Sequence, residues 1–204
     1  MKPMAKRVVV LFVEGSTEIE FYKAVIKRAH DLMPTQFTCS VEYLDMYGIG
    51  NYQKDAIRKF NKLKDKYEED TEYLAFLCYD SDVFQLSKKP PINRNEVRDA
   101  IKDAGALKVA DIVAKSSIEE WFLMDLPGVL SYLRLSKKTK RPQGNGQEAL
   151  KKLFKNANKV YVKGGKTEGF IKKLDISIIM ASCCKSLLPL CKAIGFDCAL
   201  TCNK

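Results

Sequence analysis

Long hydrophobic runs and targeting segments are absent from this sequence. In 204 residues no stretch approaches the roughly 20 consecutive apolar residues of a membrane-spanning helix, so no membrane partner is expected. The basic start leads into an apolar run that ends at Glu14 without a small-residue cleavage site, which predicts a strand and not a signal peptide. We therefore expect a cytoplasmic protein.

Histidine is nearly absent, and no Cys-x-x-Cys pair occurs. The single histidine, His30, is far in sequence from the C-terminal cysteines, which weakens the case for structural zinc, although that alternative stays open. Without a secretion signal, the seven cysteines are expected to be reduced thiols. Because Cys184, Cys191 and Cys198 recur every seven residues, one continuous helix would place them on one face, where we interpret them as packing residues.

Acidic residues are outnumbered, with 25 Asp and Glu against 35 Lys and Arg and a net charge of +10. A basic protein favours a polyanionic partner, and nucleic acid is the first candidate. Lysines scattered over solvated helix faces would give the same composition, so the charge alone does not establish that partner. It also does not separate RNA from DNA, because phosphate contacts carry no sequence information.

Hydrophobic residues, at 46%, are numerous enough for a packed core. Apolar segments alternate with helical patterns at 17–32, 52–68 and 93–104; the segments lie at 7–13, 37–46, 73–79 and 108–113. This alternation predicts an α/β fold, with a parallel sheet of about four strands flanked by helices. The later pattern is helical and includes one helix over 177–194. We therefore predict a domain over 6–115 and a mostly helical C-terminal extension over 116–204 packed on it.

Two acidic clusters each follow an apolar run. Glu14-Gly15-Ser16-Thr17-Glu18 follows the first strand, and Asp80-Ser81-Asp82 follows the third, at the sheet edge where α/β folds bind ligands. Asp80 and Asp82 would point the same way from an extended segment. Crowded carboxylates repel unless a cation lies between them, and their oxygens suit Mg²⁺ or Mn²⁺. We therefore predict a metal site of Glu14, Glu18, Asp80 and Asp82, with polar turns at two strand ends as the alternative.

Further candidate site residues lie later in the chain. Glu119 follows the fourth strand and is a possible ligand, although an acid at a helix N-terminus would also explain it. Lys115, Lys163 and Lys166 are candidate substrate-binding residues, since each could neutralise charge that develops on a phosphate. Gly164-Gly165-Lys166-Thr167 imitates the end of a phosphate loop but lacks the upstream glycine, so we predict a turn into a helix capped by Thr167.

The two acidic clusters together resemble the Toprim domain, which has a catalytic glutamate after its first strand and an Asp-x-Asp motif after its third. The run from Glu14 to Glu18, with Phe21 and Tyr22 behind it, is similar to Toprim nucleases of the OLD and RloB-like group. That group includes the Toprim effectors of bacterial anti-phage systems such as PARIS. The resemblance covers residues 6–115, and Glu119 before an aromatic helix adds an RloB-like feature.

This resemblance implies a metal-dependent endonuclease, with Glu14 as general base or metal ligand and Asp80 and Asp82 holding Mg²⁺ or Mn²⁺. The implied substrate is RNA, such as tRNA, or DNA, and the implied setting is that of a toxic effector in anti-phage defence. OLD proteins carry an ATPase module that this sequence lacks, so an ATPase or sensor would be a separate subunit; a homo-oligomer is also compatible. A housekeeping Toprim RNA-processing enzyme and a non-catalytic RecR-like nucleic-acid-binding module stay open as alternatives.

Overall fold

A parallel sheet forms the centre of the chain in the computed structural model, which describes residues 6–34, 39–85, 91–165 and 167–197. Its strands are β1 (Arg7–Val13), β2 (Cys39–Asp45), β3 (Glu72–Asp80) and β4 (Lys108–Ala114). They lie in the order β2-β1-β3-β4, and every neighbouring pair is parallel. The first two residues predicted for the second strand, 37 and 38, lie outside the described ranges.

The two central strands are apolar along nearly their whole length. Residues 8–13 of β1 and 73–79 of β3 are buried, whereas the edge strands β2 and β4 are mostly only partly covered. A central parallel strand has helices on both faces and therefore needs apolar side chains on both. The prediction of an α/β fold with about four parallel strands flanked by helices is confirmed.

Helices separate and follow the strands. They are α1 (Ser16–Leu32), α2 (Tyr52–Lys64), α3 (Asp82–Gln85), α4 (Arg94–Asp103), α5 (Ile118–Phe122), α6 (Leu126–Leu133), α7 (Gly146–Asn156), α8 (Glu168–Ile171), α9 (Ile176–Ser182) and α10 (Cys184–Ala193). Short 3-10 turns cover Ile49–Asn51 and Leu123–Asp125.

Two hydrophobic cores lie on opposite faces of the sheet, because alternate side chains of a strand point in opposite directions. Val8, Val10 and Phe12 of β1 face α2 and α4. Val9 and Leu11 face the other core, which α1 shares with the helices that follow residue 115. The C-terminal helices are thus packed on the sheet, while the boundary at residue 115 stays a prediction.

The helix predicted over 177–194 is wrong as a single element. It is divided at Cys183 into α9 and α10, whose axes are bent by 105°. The apolar side chains Ile179, Cys183, Leu187 and Leu190 keep helical spacing across the bend, so the sequence pattern gave no sign of it. No described helix is by itself long and apolar enough to cross a membrane, and only this bent pair reaches that length and composition together.

The expectation of reduced thiols holds for part of the chain. Cys39 and Cys78 are free thiols, but Cys184 is disulfide-bonded. Of the three cysteines predicted to pack on one helix face, Cys191 is buried in the core that includes α1 and Cys184 is partly buried against it, while Cys198 lies outside the described ranges.

Candidate active site

The ends of the two central strands bring the predicted acidic clusters together. Glu14 directly follows β1, and Asp80 is the last residue of β3, which pairs with β1 in parallel. The Glu14 carboxylate accepts a hydrogen bond from the Asp80 backbone N–H, with 3.0 Å between Oε1 and N. The predicted meeting of these acids at one sheet edge is therefore present in the fold, and a direct hydrogen bond joins them.

Asp80 is nearly fully buried and is held on both of its oxygens. Its Oδ1 accepts from the backbone N–H of Ile118 at 2.8 Å, which ties the end of β3 to the start of α5. Its Oδ2 accepts from the ammonium of Lys163 at 2.5 Å. The bond to Ile118 also brings the next residue, Glu119, to the same place.

Glu119 is completely buried, with 0% of its surface exposed. Its Oε1 accepts a hydrogen bond from the hydroxyl of Tyr161 at 3.0 Å. Its Oε2 has no hydrogen-bond partner among the described residues. An acid that only favoured the positive end of a helix would be expected at the surface, so its burial beside Asp80 favours the interpretation as a site residue.

Lys163 is the cation at the centre of this cluster. Its Nζ lies 2.5 Å from Asp80 Oδ2 and 3.3 Å from Glu18 Oε1, on the first turn of α1. Glu18 is 4% exposed, and its Oε1 has no bond of hydrogen-bond geometry among the described residues. Within the described part of the chain, no three Asp, Glu, His or Cys side chains already surround one vacant metal position. Two of the acids, Glu18 and Asp80, pair with the lysine instead.

Burial dominates the electrostatics of the acids. It raises the pKa of Glu14 and of Glu18, and it raises the pKa of Asp80 to about 7 even though the Lys163 ammonium acts in the opposite direction. Burial also lowers the pKa of Lys163, but the carboxylates of Asp80, Glu18 and Glu119 outweigh this effect, so the net shift is upward. The lysine is therefore charged, and Glu14, Glu18 and Asp80 are the acids whose raised pKa opposes ionisation.

Two hydroxyls of the first cluster have a role that the sequence did not predict. Ser16 and Thr17 lie in the first turn of α1, but Gly15 is the N-cap, and no described side chain makes a capping bond there. Instead Ser16 Oγ donates to the carbonyl of Gly164 at 2.8 Å, and Thr17 Oγ1 accepts from the N–H of Gly164 at 2.9 Å. These hydrogen bonds join residues 148 and 147 positions apart, so the local sequence could not predict them. The only local sign was the presence of two hydroxyl side chains between Glu14 and Glu18.

Asp82 is placed differently from the other candidates. The chain leaves the extended conformation after Asp80, and Asp82 begins α3, half-buried, with its N–H bonded to the carbonyl of Ser116. The same-face geometry predicted for Asp80 and Asp82 is therefore absent. Asp82 still lies close enough to contribute to the raised pKa of Glu14, after burial and the effect of Asp80. It remains a candidate at the rim of the cluster.

The remaining predicted lysines are less informative. Lys115 is exposed directly after β4, and the described residues give it no ion pair. Lys166 lies outside the described ranges. Thr167 is the N-cap of α8, as predicted, but its hydroxyl lies 3.5 Å from Thr17 Oγ1 and makes no capping bond.

Comparison with known proteins gives one structural similarity. No family model and no curated protein matches the chain. The C-terminal region of the Burkholderia pseudomallei OLD protein is similar in structure, with a TM-score of 0.49 and 16% sequence identity, over 94% of this chain and 100% of that one. A similarity at this level carries no argument for function, which depends on the residues themselves.

Proposed function

We propose that this protein is a Mg²⁺- or Mn²⁺-dependent nuclease that hydrolyses phosphodiester bonds in RNA, such as tRNA, or in DNA. One observation carries the proposal: Glu14, Glu18, Asp80 and Glu119 lie together at the C-terminal edge of a parallel sheet, where Glu18 and Asp80 pair with the single cation Lys163. Clustered, strongly buried acids are costly for stability and are typical of a working site. The net charge of +10 on the rest of the molecule suits a polyanionic substrate.

The donor set fits a hard divalent metal ion. All four side chains offer carboxylate oxygens, the ligands that Mg²⁺ and Mn²⁺ prefer. Two buried oxygens lack a hydrogen bond among the described residues: Glu119 Oε2, and Glu18 Oε1, which has only the 3.3 Å ion pair with Lys163. Glu14, Asp80 and Glu119, with Glu18 beside them, would hold the metal, and Asp82 would lie at the rim. When bound, such a metal polarises a phosphoryl oxygen and lowers the pKa of its water.

The side chains themselves have distinct roles in this proposal. Glu14 is half-buried, and its burial-raised pKa brings it toward the range that suits a general base. The Lys163 ammonium can neutralise negative charge on a phosphate at the mouth of the cluster. Its own side chain is 29% exposed, so it is reachable from solvent.

A basic loop between α6 and α7 offers a path for the phosphate backbone. Arg141 lies 2.9 Å from the carboxylate of Glu120, the residue after Glu119, which anchors the loop beside the acids. Lys137, Lys138 and Lys140 of this loop are exposed and have no ion pair with any described residue. Exposed, unpaired cations contact phosphates without reading sequence, which suits broad recognition of nucleic acid.

The test is cleavage of a panel of tRNA, single-stranded RNA and plasmid DNA with Mg²⁺, with Mn²⁺ and with EDTA. Glu14→Gln and Asp80→Asn keep side-chain shape and are expected to slow metal-dependent cleavage by at least about 100-fold, since each removes a charge that holds the metal. Asp65→Asn, an exposed acid at the end of α2, is the matched control and should cleave normally. Tight nucleic-acid binding without cleavage under every condition would favour the RecR-like binding module.

The biological setting is a further part of the proposal. The resemblance to Toprim effectors such as those of PARIS points to a toxic enzyme of anti-phage defence that depends on a separate ATPase or sensor subunit. Growth arrest on expression in a bacterial host, relieved by Glu14→Gln, would support a toxic effector. Normal growth at high expression of an enzyme that is active in vitro would favour the housekeeping RNA-processing alternative.

A further inference from the structure

We propose that Lys163 is an exchangeable internal cation: it occupies the acidic cluster when no divalent metal is bound, and it must withdraw before a metal ion can bind. The segment that delivers it, residues 161–165, is held closed by Ser16 and Thr17. This inference rests on the proposed metal site and concerns how that site is opened.

The clamp on the 161–165 segment is reciprocal. Ser16 donates to the carbonyl of Gly164, and the N–H of the same glycine donates to Thr17, at 2.8 and 2.9 Å. The backbone C=O and N–H of Gly164 are thus both hydrogen-bonded. The two side chains that bond them are consecutive in sequence and lie between Glu14 and Glu18. The position of Lys163, the residue before Gly164, is therefore fixed from the same turn that supplies two of the acids.

The 161–165 segment contacts the cluster at two further points. Tyr161 donates to Glu119 at 3.0 Å, and Lys163 pairs with Asp80 and Glu18. Three buried acids are thus satisfied or neutralised by one stretch of chain that belongs to neither a helix nor a strand. Every one of these contacts is polar and can be exchanged for contacts with a metal ion or with water.

Hydrophobic packing of the segment is confined to Tyr161, which is 5% exposed and packs against Phe154 and Phe170. Val160 is 83% exposed and Val162 is 58% exposed, so the part that delivers Lys163 can move while Tyr161 stays in place. Gly164 has a φ of +79° and allows the tight turn in which Gly165 N–H bonds to the carbonyl of Val162. A segment with few buried apolar contacts belongs to the less stable part of a fold, where local opening is easiest.

The lysine and a metal ion exclude each other for a simple reason. A divalent ion binds carboxylate oxygens at about 2 Å, and the Lys163 ammonium already takes Asp80 Oδ2 and approaches Glu18 Oε1. Two cations a few ångströms apart in a buried site also repel each other strongly. Metal binding therefore requires that Lys163 leave, and the lysine is then free to face a phosphate at the mouth of the site.

The experiment measures Mn²⁺ binding to the full chain by titration calorimetry without substrate. Lys163→Met keeps the length of the side chain and removes its charge, and it is expected to bind Mn²⁺ at least about tenfold more tightly than the natural protein, the equivalent of one charge-assisted hydrogen bond. Thr17→Val, which removes the clamp without touching the acids, should act in the same direction by about two- to fivefold. Lys151→Met, at an exposed position of α7, and Thr71→Val, directly before β3 at the end opposite Asp80, should leave the affinity unchanged.

A second readout is hydrogen exchange of the 161–165 segment, which should become faster when Mn²⁺ is added to the natural protein, because the Gly164 bond to Thr17 opens. Equal or weaker Mn²⁺ binding by Lys163→Met and Thr17→Val would overturn the inference while leaving the metal site intact. Absence of Mn²⁺ binding in every variant would overturn both the inference and the proposed function. Lys163→Arg, which keeps the charge, should bind no better than the natural protein.

Discussion

The Tyr161→Phe substitution would remove the hydroxyl that donates a hydrogen bond to the buried carboxylate of Glu119. That bond is 3.0 Å long, and the other Glu119 oxygen already has no partner there. Without the hydroxyl, a fully buried carboxyl group would be left with neither oxygen bonded. The phenylalanine ring would still pack against Phe154 and Phe170, whose ring centroids lie 5.2 and 6.5 Å away.

The magnitude follows from the burial of both partners. Tyr161 is 5% exposed and Glu119 is 0% exposed, so solvent cannot replace the lost bond. Hydrogen bonds to charged groups contribute about 1.5–3 kcal/mol, and the unchanged ring keeps the packing term small. We expect the free energy of unfolding to fall by about 2 kcal/mol, which in a domain of this size lowers Tm by roughly 4–8 °C.

The assay is urea denaturation followed by circular dichroism, for the natural protein, Tyr161→Phe, Glu119→Gln and the double variant. The double-mutant cycle isolates the interaction between the two side chains, and we expect a coupling of about 1 kcal/mol or more. Tyr132→Phe is the control, because Tyr132 packs against the same Phe154 and Phe170 rings and makes no side-chain hydrogen bond with a described residue. It should change stability by less than about 0.5 kcal/mol.

If Tyr161→Phe lowers the free energy of unfolding by less than about 0.5 kcal/mol, the reasoning is refuted, because the hydroxyl would then contribute no more than a surface contact. A coupling near zero, with both single variants destabilised, would also refute it. In that case Glu119 would be stabilised by the other charges of the cluster rather than by Tyr161.

Substitutions in the basic loop and at a close helix contact test other parts of the structure. Replacing Lys137, Lys138 and Lys140 with serine should reduce the slope of log affinity for nucleic acid against log salt by about 2–3 in fluorescence anisotropy, since each lost phosphate contact removes roughly 0.7–0.9. An unchanged slope would exclude the loop as a phosphate contact. The matched control removes three exposed lysines elsewhere, Lys54 and Lys62 of α2 and Lys66 just after it. Gly146→Ala would place a Cβ atom 2.5 Å from the backbone nitrogen of Glu120 and should destabilise the protein by about 1–3 kcal/mol in urea denaturation. A free energy of unfolding equal to that of the natural protein would show that α7 can shift away from α5 without loss of stability.

The sheet and part of the site were predictable because local pattern determines them. Buried central strands need unbroken apolar sequences, and β1 and β3 have them. Once two parallel strands are adjacent, the residues at their carboxyl ends must meet, so the contact between Glu14 and Asp80 follows from the strand pattern alone. Glu119 could be predicted as a candidate ligand because it follows the fourth strand in the sequence.

The rest could not be predicted because it depends on contacts between distant segments. Nothing in the residues around Lys163 indicates that an irregular segment returns to the first turn of α1, where Ser16 and Thr17 hold it. The bend at Cys183 left the apolar spacing unchanged, and the start of α3 at Asp82 overrode the extended geometry expected from its two-residue spacing. In each case tertiary contacts decided between conformations that the local sequence allows equally.

The bond between Ser16 and Gly164 joins residues 148 positions apart, and the pair of Lys163 with Asp80 spans 83. During synthesis, the strands that supply Glu14 and Asp80 leave the ribosome long before the segment that supplies their counter-charge. A nascent chain that ends before residue 161 therefore exposes uncompensated acids and lacks the complete centre. The acids thus receive their counter-charge only after residue 163 has been made and has folded back onto the ends of β1 and β3.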